Sequence, residues 1–291
     1  VVIRRRDLLR AGAVLGAAAL TGCTTRHGGT PVAATTVGPG ETVPGGGAEQ
    51  ETVRLGVFEY RPYAYLDDSG TLTGEVVEVA RAICDELGKA LAVEVLPYEA
   101  ILPAVEAHRI DVVGGLSIRA ANCASLDFTV PDHVSLTALV VPKGNPKGIS
   151  TFADVVSKKA RFGVVADSLE VSFAEQAGVR GIQQYPTAEE LLAAVTAAKI
   201  DCGAYDDITL RDTLTGEPGL ELRPSFEPEG GSPRYGFGFR KAVDAELLAG
   251  FDAALTRMHD NGEWLRVAEP FGFTEDNIPD TDRVSDEACQ R

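Results

Sequence analysis

Two hydrophobic rhythms alternate along this chain. Short β-branched runs are followed by stretches whose apolar residues return every three or four positions. Thr52 to Phe58 reads as a strand, and Asp67-Asp68-Ser69-Gly70 is a turn signal. From about Glu75 to Leu87 the apolar positions Val76, Val79, Ala80, Ile83 and Leu87 mark a helix stopped by Gly88. Ala92 to Leu96 is a strand, Ala100 to Ala107 a helix with Pro103 early, and Ile110 to Val113 a strand. A second series then starts. A short helix opens at Ser150 to Asp154, Arg161 to Val165 is a strand, and a helix runs from Ser168 to about Gln176. Thr187 to Glu190 is a capping box ahead of a helix from Leu191 to Ala198, and Ile200 to Tyr205 is a strand. Tyr235 to Phe239 is extended, and a helix from about Asp244 to Asn261 ends at Gly262.

Strands alternating with helices predict an α/β fold with parallel sheets covered on both faces. Two such series predict two lobes with a cleft between them. Ligands of open α/β sheets collect at the carboxyl ends of strands. The informative loops are therefore those after Phe58, Leu96, Val113, Val165 and Tyr205.

The ends of the chain follow other rules. Arg4-Arg5-Arg6 heads a short apolar run from Ala11 to Leu20, and Leu20-Thr21-Gly22-Cys23 follows. A basic head, an apolar core too short to span a bilayer and a small-residue cleavage site make an export signal. Leu-Thr-Gly-Cys resembles the lipobox of bacterial lipoproteins, which implies cleavage after residue 22 and a lipid on Cys23. Arg5-Arg6 with Leu8-Leu9 also resembles a twin-arginine signal. Residues 23–50 are rich in Gly, Pro and Thr and cannot bury a core. They predict a flexible leash with a reach of about 30 Å. The polar residues 281–291 predict a loose tail.

Composition narrows the function. Apolar residues make up 44% of the chain, enough for two real cores, and the net charge is -16. That charge repels nucleic acid and anionic headgroups, so nucleic-acid binding is excluded. No second apolar run approaches spanning length, so the expected attachment is the lipid alone. The cysteines beyond Cys23 are Cys84, Cys123, Cys202 and Cys289. They lack the spacing of a zinc site, and no metal or cofactor is expected. Cys123 and Cys202 are read either as buried free thiols or as a pair, and Cys289 as unpaired.

At the informative loops the chain resembles the extracellular solute-binding proteins of ABC importers, in the polar-amino-acid family (family 3). The segments that carry the likeness include Arg61-Pro62-Tyr63-Ala64-Tyr65, Leu72-Thr73-Gly74-Glu75, Ile110 to Ile118, Leu126-Asp127-Phe128-Thr129, Leu139 to Gly144, Phe162 to Ala166 and Lys199-Ile200-Asp201. They span about Val53 to Phe273. Pro142 to Gly148, Cys123 and Glu269 to Thr274 look most like the ectoine/hydroxyectoine-binding members. The likeness implies a two-lobed periplasmic-binding-protein fold of type II. Lobe 1 would be 51–141 plus 240–280 and lobe 2 would be 142–239, with crossovers near Val140–Pro142 and Phe237–Phe239. It further implies a monomeric, membrane-anchored receptor outside the cytoplasm that hands a small solute to a permease and its ATPase subunits.

The resemblance also assigns a site. Tyr63 and Tyr98 match aromatic positions that wall the ligand, and Tyr60 lies in the same loop; half-buried core tyrosines are the alternative. Ser117 matches a hydroxyl that donates to a carboxylate. Ser168, ahead of a helix, matches an anion-binding N-terminus or is a plain N-cap. Asp206 matches the acid that receives an ammonium, with Asp207 its competitor; Glu59 reads as a solvated loop residue. Two departures stand out. Asn122 replaces the family's carboxylate-clamping Arg, and Arg119 either takes over that role or is a surface residue. Ser117 also stands where ectoine binders carry an aromatic ring, and Asp167 where the family usually has Gly.

Two rival functions fit the same pattern. A dehydratase of this fold would need an acid/base pair, for which Glu170 and Asp206 are the candidates. His27, His108, His133 and His259 sit beside no obvious nucleophile. A ligand-sensing lipoprotein would use the same cleft without a permease.

Overall fold

In the computed structural model the described residues are 51–229, 231–241, 245–280 and 289. The export signal, Cys23 and the leash lie outside them, as does the tail apart from Cys289. In chain order the body is built from β1 (Thr52–Val57), the short pair β2 (Tyr65–Leu66) and β3 (Leu72–Thr73), α1 (Glu75–Glu86), β4 (Ala90–Val95), α2 (Ile101–Glu106) and β5 (Val112–Ser117). There follow α3 (Ala120–Cys123), β6 (Leu126–Phe128), β7 (His133–Val134) and β8 (Thr137–Pro142). The second series holds α4 (Phe152–Ser157), β9 (Phe162–Val165), α5 (Leu169–Gln176), β10 (Gln183–Tyr185), α6 (Ala188–Thr196) and β11 (Cys202–Asp206). The chain closes with α7 (Asp207–Thr213), β12 (Leu220–Leu222), β13 (Arg234–Arg240), α8 (Ala245–Asp260) and α9 (Glu263–Ala268).

Eleven of these strands form two sheets, one per lobe, while β2 and β3 pair only with each other. The first has the order β4-β1-β5-β13-β6, with β7 also on β13; the second has the order β10-β9-β11-β8-β12. The expectation of parallel sheets needs correction, because both are mixed. β1 pairs in parallel with β4 and β5, and β9 in parallel with β10 and β11. β13 and β8 pair only antiparallel. Each of these two strands arrives from the other half of the chain, so no βαβ crossover constrains its direction. Because β8 belongs to the second sheet and β13 to the first, the changes of sheet fall before 137 and before 234. Both come several residues ahead of the positions expected from the sequence.

Local sequence explains the elements that frame the cleft. α1 buries Val76, Val77, Val79, Ala80 and Ile83, one face of a 3.6-residue period. Gly88 follows with a φ of +66°, the left-handed turn after a helix where glycine costs least. The first core joins this face to Phe237, Phe239, Phe251, Leu255 and Trp264. Each wholly buried large side chain contributes about 1.5–3 kcal/mol. In the second lobe, one core packs Leu191 and Leu192 of α6 on the sheet and another packs Phe152 and Phe162. Among the described residues no helix is long and apolar enough to cross a membrane.

Cys123 is joined to Cys289, 166 residues away, with an S–S distance of 2.08 Å. Cys84 and Cys202 are buried free thiols. The pairing of Cys123 with Cys202 is thus corrected: Cys202 is an interior residue of the second sheet, and the cysteine of the tail reaches Cys123 instead.

Candidate functional site

A cavity of about 260 Å³ lies where the strand ends of the two sheets face each other. Phe58 follows β1, Gly114 and Gly115 belong to β5, Asp167 to Glu170 follow β9, and Tyr205 and Asp206 end β11. Ser135 and Pro233 enter from the two stretches that change sheet, and Tyr235 from the start of β13. The loop after Leu96 contributes none of the lining. β5 can approach α1 here because Gly114 has no side chain: a Cβ would sit 2.2 Å from Val76 Cγ1.

Tyrosines build the walls. The rings of Tyr60 and Tyr63 stack with centroids 5.4 Å apart. Tyr63 in turn stacks on His133 at 5.4 Å, and His133 on Tyr235 at 4.9 Å. The Tyr60 and Tyr205 hydroxyls lie 2.6 Å apart. Burial pushes the Tyr60 phenol up to about 12 and raises Tyr63, Tyr205 and Tyr235 as well. All four are therefore neutral hydroxyls at physiological pH, with faces that attract cations.

Carboxylates supply the charge. Asp206 caps α7: its Oδ1 accepts the Thr209 backbone N–H at 2.9 Å and the Tyr63 hydroxyl at 3.2 Å. Desolvation, reinforced by the charges of Glu170 and Asp207 and opposed by Thr209, pushes Asp206 up to about 7. Glu170 is buried in the first turn of α5 and accepts the Thr137 hydroxyl at 3.3 Å. Burial raises its pKa too. Asp167 has a φ of +59°, a left-handed backbone that glycine takes freely and that aspartate is among the few other residues to accept. Among the described residues that line the cavity there is no Lys, Arg or His.

Of the residues singled out from the sequence, the cavity brings together Tyr60, Tyr63, Ser168 and Asp206. Ser168 is the N-cap of α5 without a capping side-chain bond, and it stands between Asp167 and Glu170. Tyr98, Ser117, Arg119 and Asn122 are outside the lining. Tyr98 is 51% exposed and packs edge-on against Phe58 at 5.3 Å. Arg119 is exposed, with Nη2 3.4 Å from the Tyr98 hydroxyl. Asn122 is buried and donates to the Ser117 carbonyl at 2.8 Å, so it pins the end of β5. Asp207 is fully buried and accepts from Leu136 N at 3.1 Å, Ser225 Oγ at 3.0 Å, Arg211 Nη2 at 2.7 Å and Asn277 Nδ2. These bonds tie α7 to both stretches that change sheet. Tyr205, Tyr235 and Phe58 were missed; Tyr205 was the legible one, as it directly precedes Asp206 at the strand end.

Beneath the aromatic wall lies a buried trio, Glu75, Asp132 and His133, whose potential ligand atoms lie within 4.8 Å of one another. Asp132 Oδ2 is 3.2 Å from His133 Nδ1, and Asp132 Oδ1 accepts the Trp264 indole N–H at 2.8 Å. Burial opposes the Asp132 charge, but His133 and Trp264 outweigh it and lower its pKa. Burial, with Asp132 beside it, pushes Glu75 well above the carboxylate range. The trio is the one group among the described residues with the donor set of a metal centre.

Two lobes whose strand ends enclose a tyrosine-walled, acid-lined cavity define a solute-binding protein. The chain belongs to the bacterial extracellular solute-binding proteins, family 3, whose profile matches residues 53–274. It is accordingly an extracytoplasmic solute carrier of an ABC import system that works with a permease and ATPase, and its family is one of transport proteins rather than enzymes. The L-arginine-binding protein of Pseudomonas aeruginosa is 24% identical over 237 residues, covering 77% of this chain and 89% of its own length. An ancestral arginine-binding protein bound to arginine is 26% identical with a TM-score of 0.56, covering 76% of this chain and 98% of that one. EhuB in complex with hydroxyectoine is also 26% identical with a TM-score of 0.56, covering 78% of this chain and 90% of that one. Arginine-bound and hydroxyectoine-bound relatives are thus equally similar, and the ectoine likeness is not distinguished.

Proposed function

We propose that the protein is a receptor for a small solute that carries a positive charge, held in the cavity between the tyrosine walls and handed to the permease unchanged. The observation that carries this reading is the charge of the lining: Asp167, Glu170 and Asp206 with no basic side chain among the described residues. A buried cation needs such partners, because desolvation is costly unless it is matched. Tyr60, Tyr63, Tyr205 and Tyr235 add aromatic faces and hydroxyls. Cationic amino acids, ectoine and hydroxyectoine all carry a suitable charge. Arginine and hydroxyectoine, named for the arginine-binding and hydroxyectoine-bound relatives, belong to this class.

Ligand capture shifts a hinged pair of lobes toward the closed form, which docks on the permease. The receptor works as a monomer, leashed to the outer face of the cell membrane by a lipid on Cys23. Thermal-shift titration with arginine, lysine, histidine, ectoine and glutamate tests the ligand class, since a solute that binds only the native state raises the melting temperature. Shifts with the cationic compounds and none with glutamate are expected. For the leash, metabolic labelling with a radioactive fatty acid should mark the wild type and not Cys23→Ser.

A further inference from the structure

We propose that the preferred ligand of this cavity is an organic cation without a carboxylate, an amine, diamine or guanidine rather than the corresponding amino acid. This rests on the cation reading above and narrows it. The argument concerns what a ligand carboxylate would meet. The position where a clamping guanidinium is expected holds Asn122, which is 4% exposed and spends its amide N–H on the Ser117 carbonyl. Arg119, the nearest guanidinium in that loop, is exposed, directed at the Tyr98 hydroxyl, and absent from the lining. The second place for an anion, the start of α5 at Ser168, is flanked by Asp167 and by Glu170, itself 5% exposed. A carboxylate placed there would face the protein's own acids, whereas backbone N–H groups at a helix start favour an anion only when it is unopposed.

The walls offer little else to a carboxylate. A free carboxylate in the cavity would meet lining hydroxyls: those of Tyr60 and Tyr205 lie 2.6 Å apart and bond each other, and that of Ser168, buried and without a hydrogen-bond partner, stands between Asp167 and Glu170. Removing it from water for such partners costs affinity, while a ligand lacking it keeps its full positive charge opposite three acids. The same geometry that makes the site poor for an α-amino acid makes it good for the decarboxylated compound of the same length.

Calorimetry on the mature protein at pH 8 with matched pairs tests this. The pairs are L-arginine against agmatine and L-lysine against cadaverine. Agmatine or cadaverine is expected to bind at least tenfold more tightly than its amino acid. An amino acid equal to or tighter than its amine overturns the inference and leaves the cation reading standing. If none of the four binds while glutamate or a neutral solute does, the cation reading itself fails and the inference falls with it. Arg119→Ala supplies a second arm. It is expected to change the affinity of both members of a pair by less than twofold. A selective loss of tenfold or more for the amino acid would reveal a clamp closing from the rim and overturn the inference.

Discussion

The hydroxyls of Tyr60 and Tyr205 meet at 2.6 Å across 145 residues of chain. Tyr60 follows a strand of the first sheet and Tyr205 ends a strand of the second, so the contact bridges the two lobes. One residue on from Tyr205, Asp206 receives the Tyr63 hydroxyl from the same opposite loop. The mouth of the cavity is therefore drawn together by phenols of one lobe and a phenol and carboxylate of the other. Opening the lobes must break these contacts, and a cation placed among them can hold them shut.

The aromatic wall sorts two tyrosines that look alike in sequence. Tyr63 lines the cavity and stacks on Tyr60, while Tyr98 only backs Phe58 from the surface. Tyr63→Ala is expected to weaken ligand binding at least tenfold, about 1.4 kcal/mol. Tyr98→Ala is expected to change it by less than threefold. Calorimetric titration of both variants checks the contrast; equal losses would place the ligand nearer the rim.

Binding should depend on pH with a definite sign. Burial pushes Asp206 up to about 7, and a cation needs its ionised form. Affinity therefore rises with pH up to about 7 and then levels. It should be about 30-fold weaker at pH 5.5 than at pH 8, since below the pKa each unit costs about tenfold. Asp206→Asn should bind weakly at every pH and lose most of this slope. The same raised pKa means that folded protein binds more protons than unfolded, so Asp206 lowers the stability of the empty protein as pH rises from about 4 to about 7. A flat affinity profile between these pH values would show that Asp206 does not meet the ligand.

Asp207 is structural. It accepts from Leu136, Ser225, Arg211 and Asn277, and its removal takes the only carboxylate from the Arg211 guanidinium, which keeps Ser225 Oγ and the Gly272 carbonyl, and leaves the Asn277 amide only the Val134 carbonyl. Asp207→Ala is expected to lower unfolding stability by about 3 kcal/mol, the lower end for breaking such a pair because Arg211 keeps some exposure. Urea denaturation measures it; a change below about 1 kcal/mol would mean that water replaces the carboxylate.

The disulfide closes a long loop, from Cys123 to Cys289. Cys289→Ser is expected to cost about 2–4 kcal/mol, seen as a lower melting temperature. Peptide mapping without reductant should recover the 123–289 pair. Cys84 and Cys202 should resist alkylation in the native protein, because burial pushes their thiols up to about 11 and about 12.

Periodicity located most framework elements because they bury one face each. The α1 face at Val76, Val79 and Ile83 is an example. The strands β8 and β13 were harder. Their place depends on which sheet accepts them, a long-range choice that local pattern does not encode, and this is why the changes of sheet fall earlier than expected. At the site, Tyr63 and Asp206 were legible because they sit beside strand ends. Tyr235 was not, since it enters on a strand from the other half of the chain. The choice between Asp206 and Asp207 turns on which side of a helix start faces the cavity, and only the packing of α7 decides it. Asn122 looked like a ligand-contacting position, yet its amide is taken by the Ser117 carbonyl.

The most direct measurement is competition between charged solutes for the cavity, read by calorimetry at pH 8 on the wild-type protein and on Asp206→Asn. The account predicts saturable binding of at least one cationic solute to the wild type, no binding of glutamate, and a loss of at least tenfold in the variant. An anionic or uncharged solute that binds more tightly than every cation, with Asp206→Asn unaffected, would contradict it.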